Sequence, residues 1–224
     1  MKKKIFFKDA QIRGLIYILI FSIFIMLVYL LISNREYSFL ENLRISSFNV
    51  VSVLSGTGYV TDDFSLWGNF SLIFFLLLMF IGGCAGSTTC GIKIFRFQIL
   101  ARFMLNQLKK LIYPHGIFSL KYNNEKISNT FVYSIMTFIF LYFFIFFILA
   151  TLLSLNGLDF ITAISGSASA ISNVGPGLGS VIGPDGNFSD LPTFSKLSLS
   201  FGMLLGRLEL FAVLVLFFPS FWKN

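Results

Sequence analysis

Residues 164–179 read ISGSASAISNVGPGLG. No charge falls between Asp159 and Asp185, so the stretch suits the interior of a membrane. It is too rich in Ser and Gly for a lipid-facing helix, because Ser, Asn and Gly favour caps and turns over helix interiors. Non-helical backbone survives at membrane depth only where protein buries it or a water-filled cavity borders it. The stretch is therefore expected to dip in as a short helix and return as a loop with exposed carbonyls. A second copy lies 117 residues earlier, where Ser52, Ser55 and Gly58 of SVLSGTGY match Ser169, Ser172 and Gly175 of SAISNVGP. The rest of the chain reads as scaffolding for these two loops.

Composition supports a membrane setting. Of 224 residues, 56% are hydrophobic, 30 are Phe, and mean hydropathy is +0.83. Only 12% are charged, against about 25% in an ordinary soluble domain. The net charge of +7 does not point to nucleic acid, since the basic residues follow membrane topology. Cys84 and Cys90 sit in a Gly-rich context without a nearby His, which offers neither a zinc site nor a disulfide framework. The basic start, MKKKIFFKDAQIR, is followed by an apolar run long enough to span, and is read as leading an uncleaved first crossing.

Gly14 to Asn34 is uncharged, and 21 residues at 1.5 Å each give roughly 31 Å, enough for one crossing. Ser38-Phe-Leu-Glu41 reads as a capping box that starts a helix to about Leu54. Trp67 to Ile81 is apolar and helical in pattern. Gly82 to Gly91 is not, since four glycines in ten residues, at ~1 kcal/mol each relative to Ala, loosen a helix. Either a small-residue packing face or an unwound intramembrane loop fits it. Lys93, Arg96, Arg102, Lys109 and Lys110 then mark a helix leaving through a basic interface. Tyr113 to Ser128 is a polar connector. Asn129 to Asn156 is the third crossing. Asn156-Gly-Leu-Asp159 repeats the cap logic, with Asn156 as N-cap and Asp159 at N3. Gly183 to Pro192 is a polar turn, and Thr193 to Phe218 the last crossing, with Arg207 and Glu209 inside it. The expected fold is an all-α integral membrane protein of two parallel repeats, 1–126 and 127–224. Each repeat is helix, pore helix, filter loop, helix, giving four full spans and two re-entrant segments.

The basic residues sort by side. Lys2, Lys3, Lys4, Lys8 and Arg13 precede the first span, seven more lie from Lys93 to Lys126, and Lys223 ends the chain. Arg35, Arg44 and Lys196 fall opposite, beside Glu36, Glu41, Asp62, Asp63, Asp159, Asp185 and Asp190. The positive-inside rule puts both termini and the connector in the cytoplasm of a cell-membrane protein. A re-entrant helix then aims its partly negative C-terminus inward. Gly58 and Gly175, at φ > 0, would turn neighbouring carbonyls toward an axis. Rings of carbonyls replace the hydration shell of a monovalent cation. Neither loop holds a carboxylate, which disfavours a divalent-ion site.

The chain resembles the Trk/Ktr/HKT superfamily of potassium uptake proteins, in particular the TrkH-like subunit. The resemblance is carried by FNVVSVLSGTGYVTDDFSLW and LLLMFIGGCAGSTTCGIKIFR within Phe48 to Arg96, and by NVGPGLG, NFSDLP and GMLLGRLELFAVLVLFFPSFW within Asn173 to Trp222. It implies four such repeats around one pore, of which this chain looks like the third and fourth. By position, Gly56, Thr57 and Gly58 form one filter strand and Asn173, Val174 and Gly175 another, with potassium as the transported ion and no cofactor. Gly82, Gly83, Gly86, Ser87 and Gly91 fall in the family's intramembrane gating loop, and Arg207 matches an Arg facing the pore near it. The loop reads Ser-Thr-Thr-Cys-Gly where the family more often has Ser-Thr-Gly-Gly-Gly, and fewer glycines stiffen it. The resemblance also admits a cytoplasmic nucleotide-binding regulatory subunit as partner, besides membrane lipid.

Two filter strands cannot encircle an ion, so the polypeptide alone is expected not to conduct. It is either a truncated or split product, hence a non-conducting fragment, or half of a pore closed by the missing N-terminal half or by a second copy in a homo-oligomer. Arg207 at mid-helix costs about 2.5–3.5 kcal/mol on insertion scales, so it should face a cavity or the loop carbonyls. A secondary transporter on broken helices is the runner-up, but its repeats would be inverted, whereas two spans per repeat keep these parallel. An intramembrane enzyme would need a nucleophile, a base and an orienting group. The lone His115 lies in the connector.

Overall fold

The computed structural model describes residues 9–33, 37–123, 125–208 and 210–223. Expectations for Lys2, Lys3, Lys4, Lys8, Asn34, Arg35, Glu36 and Glu209 lie outside those residues. Helix α1, Ala10–Ile32, is started by Asp9, whose carboxylate accepts the Gln11 N–H at 2.9 Å. Beyond Ala10 only Ser22, Met26 and Leu30 of α1 are buried, a stripe at four-residue spacing, while Tyr17, Phe21 and Phe24 face outward. Helix α5, Asn129–Leu155, is capped by Ser128 and buries a wider stripe through Tyr142 and Leu149. Both helices are long and apolar enough to cross a membrane, by length and composition.

Two shorter helices follow them. Helix α2, Phe39–Ser55, begins at the expected capping box: the Ser38 N–H donates to Glu41 at 2.8 Å and the Glu41 N–H to the Ser38 hydroxyl. Hydrogen bonding to the Ser38 backbone N–H, and then to the Ser38 side chain, holds the Glu41 carboxyl below its usual range. Helix α6, Phe160–Ser172, begins at Asp159, which accepts the Thr162 N–H at 3.2 Å. Here the structure corrects the sequence. Asp159 is itself the N-cap, and Asn156 closes α5 as its C-cap, followed by Gly157 at φ +83°. Both candidates flank one turn, and the left-handed Gly157 assigns Asn156 to the helix before it.

Helix α3, Asn69–Met79, follows α2, and α8, Thr193–Arg207, follows α6. Of the four expected crossings, these two are short helices that run into breaks. Gly68, at φ +123°, separates α3 from a 3-10 turn at Phe64–Trp67, so the helix starts later than Trp67. Helix α8 stops at Arg207, and a separate α9, Leu210–Val215, continues the expected last span. Helix α4, Ile94–Ile112, carries the basic residues, and α7, Gly179–Ile182, is one turn. The connector holds a small hairpin, β1 Lys121–Tyr122 and β2 Glu125–Lys126, so the fold is not purely α.

Helix α2 packs on α1 and α3, and α6 on α5 and α8, which gives two like-ordered repeats. Helix α3 also touches α6, and one apolar core runs from Met26 and Leu30 through Phe64 and Phe75 to Tyr142, Ile171 and Leu205. Helices α6 and α8 meet along small residues, the arrangement that lets backbones approach closely in lipid. A methyl group added at Gly206 would lie 1.9 Å from the Ile171 carbonyl oxygen of α6, and one at Gly202 3.5 Å from Ala170 Cβ of α6 and 2.7 Å from Leu149 Cδ1 of α5.

Candidate functional site

The two short helices end alike. Gly56 (φ +68°) and Asn173 (φ +51°) are left-handed. The Thr57 N–H reaches the Ser52 carbonyl and the Val174 N–H the Ser169 carbonyl, both at 3.1 Å. The Gly56 and Asn173 N–H groups reach Val53 and Ala170, both at 3.2 Å. This is a Schellman closure at both sites, separated by the repeat offset read in the sequence. Gly does this without a Cβ penalty, and Asn is the side chain that best tolerates it.

Beyond the caps both strands are stapled back to their own helix. Asn49 donates to the Thr61 hydroxyl at 3.1 Å and accepts the Thr61 N–H at 3.3 Å. Ser165 accepts the Leu178 N–H at 2.9 Å and donates to its carbonyl at 3.3 Å. Ser169 makes the same two-way pair with Gly175, at 3.2 and 2.9 Å. The Thr57 hydroxyl turns back onto Ser52. Gly58 and Gly175 both have positive φ, +72° and +117°, and they abut. A methyl group at Gly58 would lie 2.4 Å from the Val174 carbonyl oxygen, and one at Gly175 3.4 Å from Gly58 Cα. Val174 packs its side chain into the core and its carbonyl faces the other strand. All six expected filter residues are thus at one junction. Among the described residues, no cluster of three or more His, Cys, Asp and Glu could hold a metal ion. Two acids of the rim are anchors: Asp62 accepts the Trp67 indole N–H at 2.7 Å and Asp63 the Ser65 N–H at 2.8 Å.

Residues 82–91 form an unwound loop, closed at its neck by an Ile81–Ile92 bridge with N–H···O contacts of 2.9 Å. Its glycines are used unequally. Gly82 sits where a methyl group would meet the Cys90 carbonyl at 2.3 Å, and Gly86 and Gly91 have φ of +82° and +78°. Thr89 approaches the end of α2, its methyl 3.4 Å from where a Cβ on Gly56 would stand. Arg207 comes from the other repeat and donates to the Thr88 carbonyl at 2.7 Å. A cavity of about 250 Å³ lies here, lined by Ser87, Thr88, Cys90, Lys93 and Arg207 among others.

Sequence reasoning missed two participants and the side-chain contact of a third. Lys93 occupies the N-cap position of α4 and reaches back into the loop. Gln11 of α1 accepts the Ala85 N–H at 2.7 Å. Asn173 donates through its side chain to the Met203 carbonyl of α8 at 3.0 Å. Only Asn173 carried a signal, as the one residue standing where the other repeat has Gly56.

The family described as TrkH, cation transport protein, matches residues 6–224. The chain belongs to the TrkH family. This is a family of transport proteins, not of enzymes. The Trk system potassium uptake protein TrkI of Halomonas elongata is 44% identical over 217 residues, covering 97% of this chain and 44% of that protein. The Trk system potassium uptake protein TrkH of Escherichia coli K12 is 32% identical over 221 residues, covering 99% and 45%. The crystal structure of the potassium transporter TrkH from Vibrio parahaemolyticus matches with a TM-score of 0.91 at 31% identity, over 98% of this chain and 46% of that one. The chain therefore spans a little under half the length of the TrkH-family relatives it matches.

Proposed function

We propose that the chain is half of a pore for a monovalent cation, potassium above sodium, that selects with backbone oxygens. One observation carries this: two pore-helix C-termini, closed in the same way, bring the Gly58 and Gly175 strands together without a carboxylate in either strand. The helix ends supply partial negative charge and the strands supply carbonyls, which suits a cation stripped of water. The names of the relatives, potassium uptake proteins and a potassium transporter, favour the same ion. Counterflow of Rb⁺ into vesicles holding the chain with its complementary half is the test. Rb⁺ uptake that K⁺ inhibits far better than Na⁺ is expected, and equal inhibition by both would remove the selectivity claim.

In this reading the chain crosses four times, with α3 and α8 completing their crossings through the segments after them. Both termini and the β1–β2 hairpin are cytoplasmic, and the turn after α7 is external. A cysteine at Asn187 in a Cys-free background should react with an impermeant reagent added outside intact cells, and one at Asn123 should not. The reverse pattern would invert the topology. Residues 82–91 with Arg207 act as the gate below the filter.

A further inference from the structure

We infer that Lys93 is a second latch on the gating loop, opposite Arg207 and independent of it. The inference rests on the proposal that residues 82–91 are the gate. Lys93 Nζ donates to the Ser87 carbonyl at 2.9 Å, to the Ser87 hydroxyl at 3.1 Å and to the Thr89 carbonyl. Arg207 holds the Thr88 carbonyl between them. Three consecutive carbonyls of the loop tip are therefore gripped by two cations from different repeats.

The position of Lys93 strengthens the point. It is the N-cap of α4, where the helix end is already partly positive and the first turn has no acidic residue. A cation is disfavoured there by the helix dipole, and N-caps are normally Ser, Thr, Asp or Asn. Lys93 makes no side-chain cap bond to its helix. Its ammonium instead bends back over the four to six residues preceding it. The side chain thus spans the hinge between the mobile element of the proposal and a rigid 19-residue helix. Thr89, one of its acceptors, is the loop residue nearest Gly56, so the latch sets how closely the loop tip approaches the filter. Lys93 is a positioning residue: it touches the loop and acts on the ion through it.

The test uses the full chain in membranes with Cys84 replaced by Ser, so that Cys90 reports on the loop. Cys90 lies inside the grip, with its sulfur 3.9 Å from Arg207 Nη1. Lys93→Met removes the charge and the bonds, Lys93→Gln keeps a donor without the charge, and Lys93→Arg keeps both. We expect Lys93→Met to raise the rate of Cys90 modification by a cytoplasmic thiol reagent about tenfold or more, as for loss of one charge-assisted hydrogen bond. Lys93→Gln should be intermediate and Lys93→Arg near the parent, and Rb⁺ flux with the complementary half should follow the same order. Unchanged Cys90 reactivity in Lys93→Met and Lys93→Gln would overturn the latch, and the gate would still stand if Arg207→Ala raised flux. Raised reactivity with unchanged flux in Lys93→Met and Arg207→Ala alike would overturn the gate itself, and the inference with it. A Lys93→Met chain that fails to insert leaves Lys93→Gln to decide between these outcomes.

Discussion

Gly58 and Gly175 occupy matching places in the repeat, yet their surroundings differ. Both have positive φ, which costs an L-residue about 1–2 kcal/mol. At Gly175 that strain is most of the cost, because an added Cβ meets only Gly58 Cα at an ordinary 3.4 Å. At Gly58 the Cβ would also press to 2.4 Å from the Val174 carbonyl oxygen, which is backbone and cannot swing away. The two substitutions should therefore separate. Gly175→Ser is expected to insert and assemble normally and to lose discrimination of K⁺ from Na⁺. Gly58→Ala is expected to lose assembly as well, because it drives the two strands apart. Inhibition of Rb⁺ flux by Na⁺, measured beside surface labelling of the protein, reads both effects. Full K⁺ preference in a well-expressed Gly175→Ser pore would take Gly175 out of the filter.

Helix α8 is the element on which the proposed filter and the proposed gate converge. Within five residues it offers the Met203 carbonyl to Asn173, leaves no side chain at Gly206 so that Ile171 can approach, and sends Arg207 to Thr88. A shift of α8 must move the filter strand and the loop together. Gly206→Ala, which would put a methyl group 1.9 Å from the Ile171 carbonyl oxygen, is expected to weaken selectivity and gating at once. Arg207→Ala removes only the loop contact and is expected to raise flux while leaving K⁺ preference intact. Deleting three residues of the loop should raise flux too, and the two changes together should be less than additive, since they act on one element. If Arg207→Ala lowers thermal stability without changing flux, Arg207 is only a structural tie. Much of this layout was legible beforehand. The repeat offset pointed to the two strands proposed as the filter, the glycine density pointed to the unwound loop, and the insertion cost of an Arg within a span pointed Arg207 to the loop carbonyls, although it stands exposed at the end of α8 rather than in mid-helix. What escaped was set by tertiary packing. The break after Arg207 interrupts an apolar run that hydropathy reads as one helix. The grip of Lys93 depends on the loop folding back over its own helix start. The choice of Asp159 over Asn156 as cap turns on one left-handed glycine.

The repeats are alike in order but unequal in cover. Helix α6 is buried from Thr162 to Ser172 but for the half-buried Ile164, between α5, α8 and α3. Helix α2 has α1 and α3 against it, and Arg44, Phe48, Val51 and Ser55 form an exposed stripe at helical spacing beside Thr57. Helix α8 in turn exposes Phe194, Leu197, Phe201 and Leu204, an apolar stripe at helical spacing that its C-cap Leu208 extends. Within the chain, α3 of the first repeat covers α6 of the second. Continued around a ring, that relation sets an α8 against an α2 and brings four filter strands to one axis. A complementary half or a second copy would supply the other contacts. The chain is thus expected to be silent alone as a monomer and to conduct once the ring closes. Purified chain should be reconstituted alone and with the complementary half, and Rb⁺ flux measured for each beside the oligomeric state in detergent. A Val51→Cys, Leu204→Cys pair, with Cys84 and Cys90 replaced by Ser, tells the two closures apart. It should cross-link the chain to itself if a second copy closes the ring, and stay uncross-linked if the other half does. Selective Rb⁺ flux from a demonstrated monomer would defeat both, since two strands would then be enough to coordinate the ion.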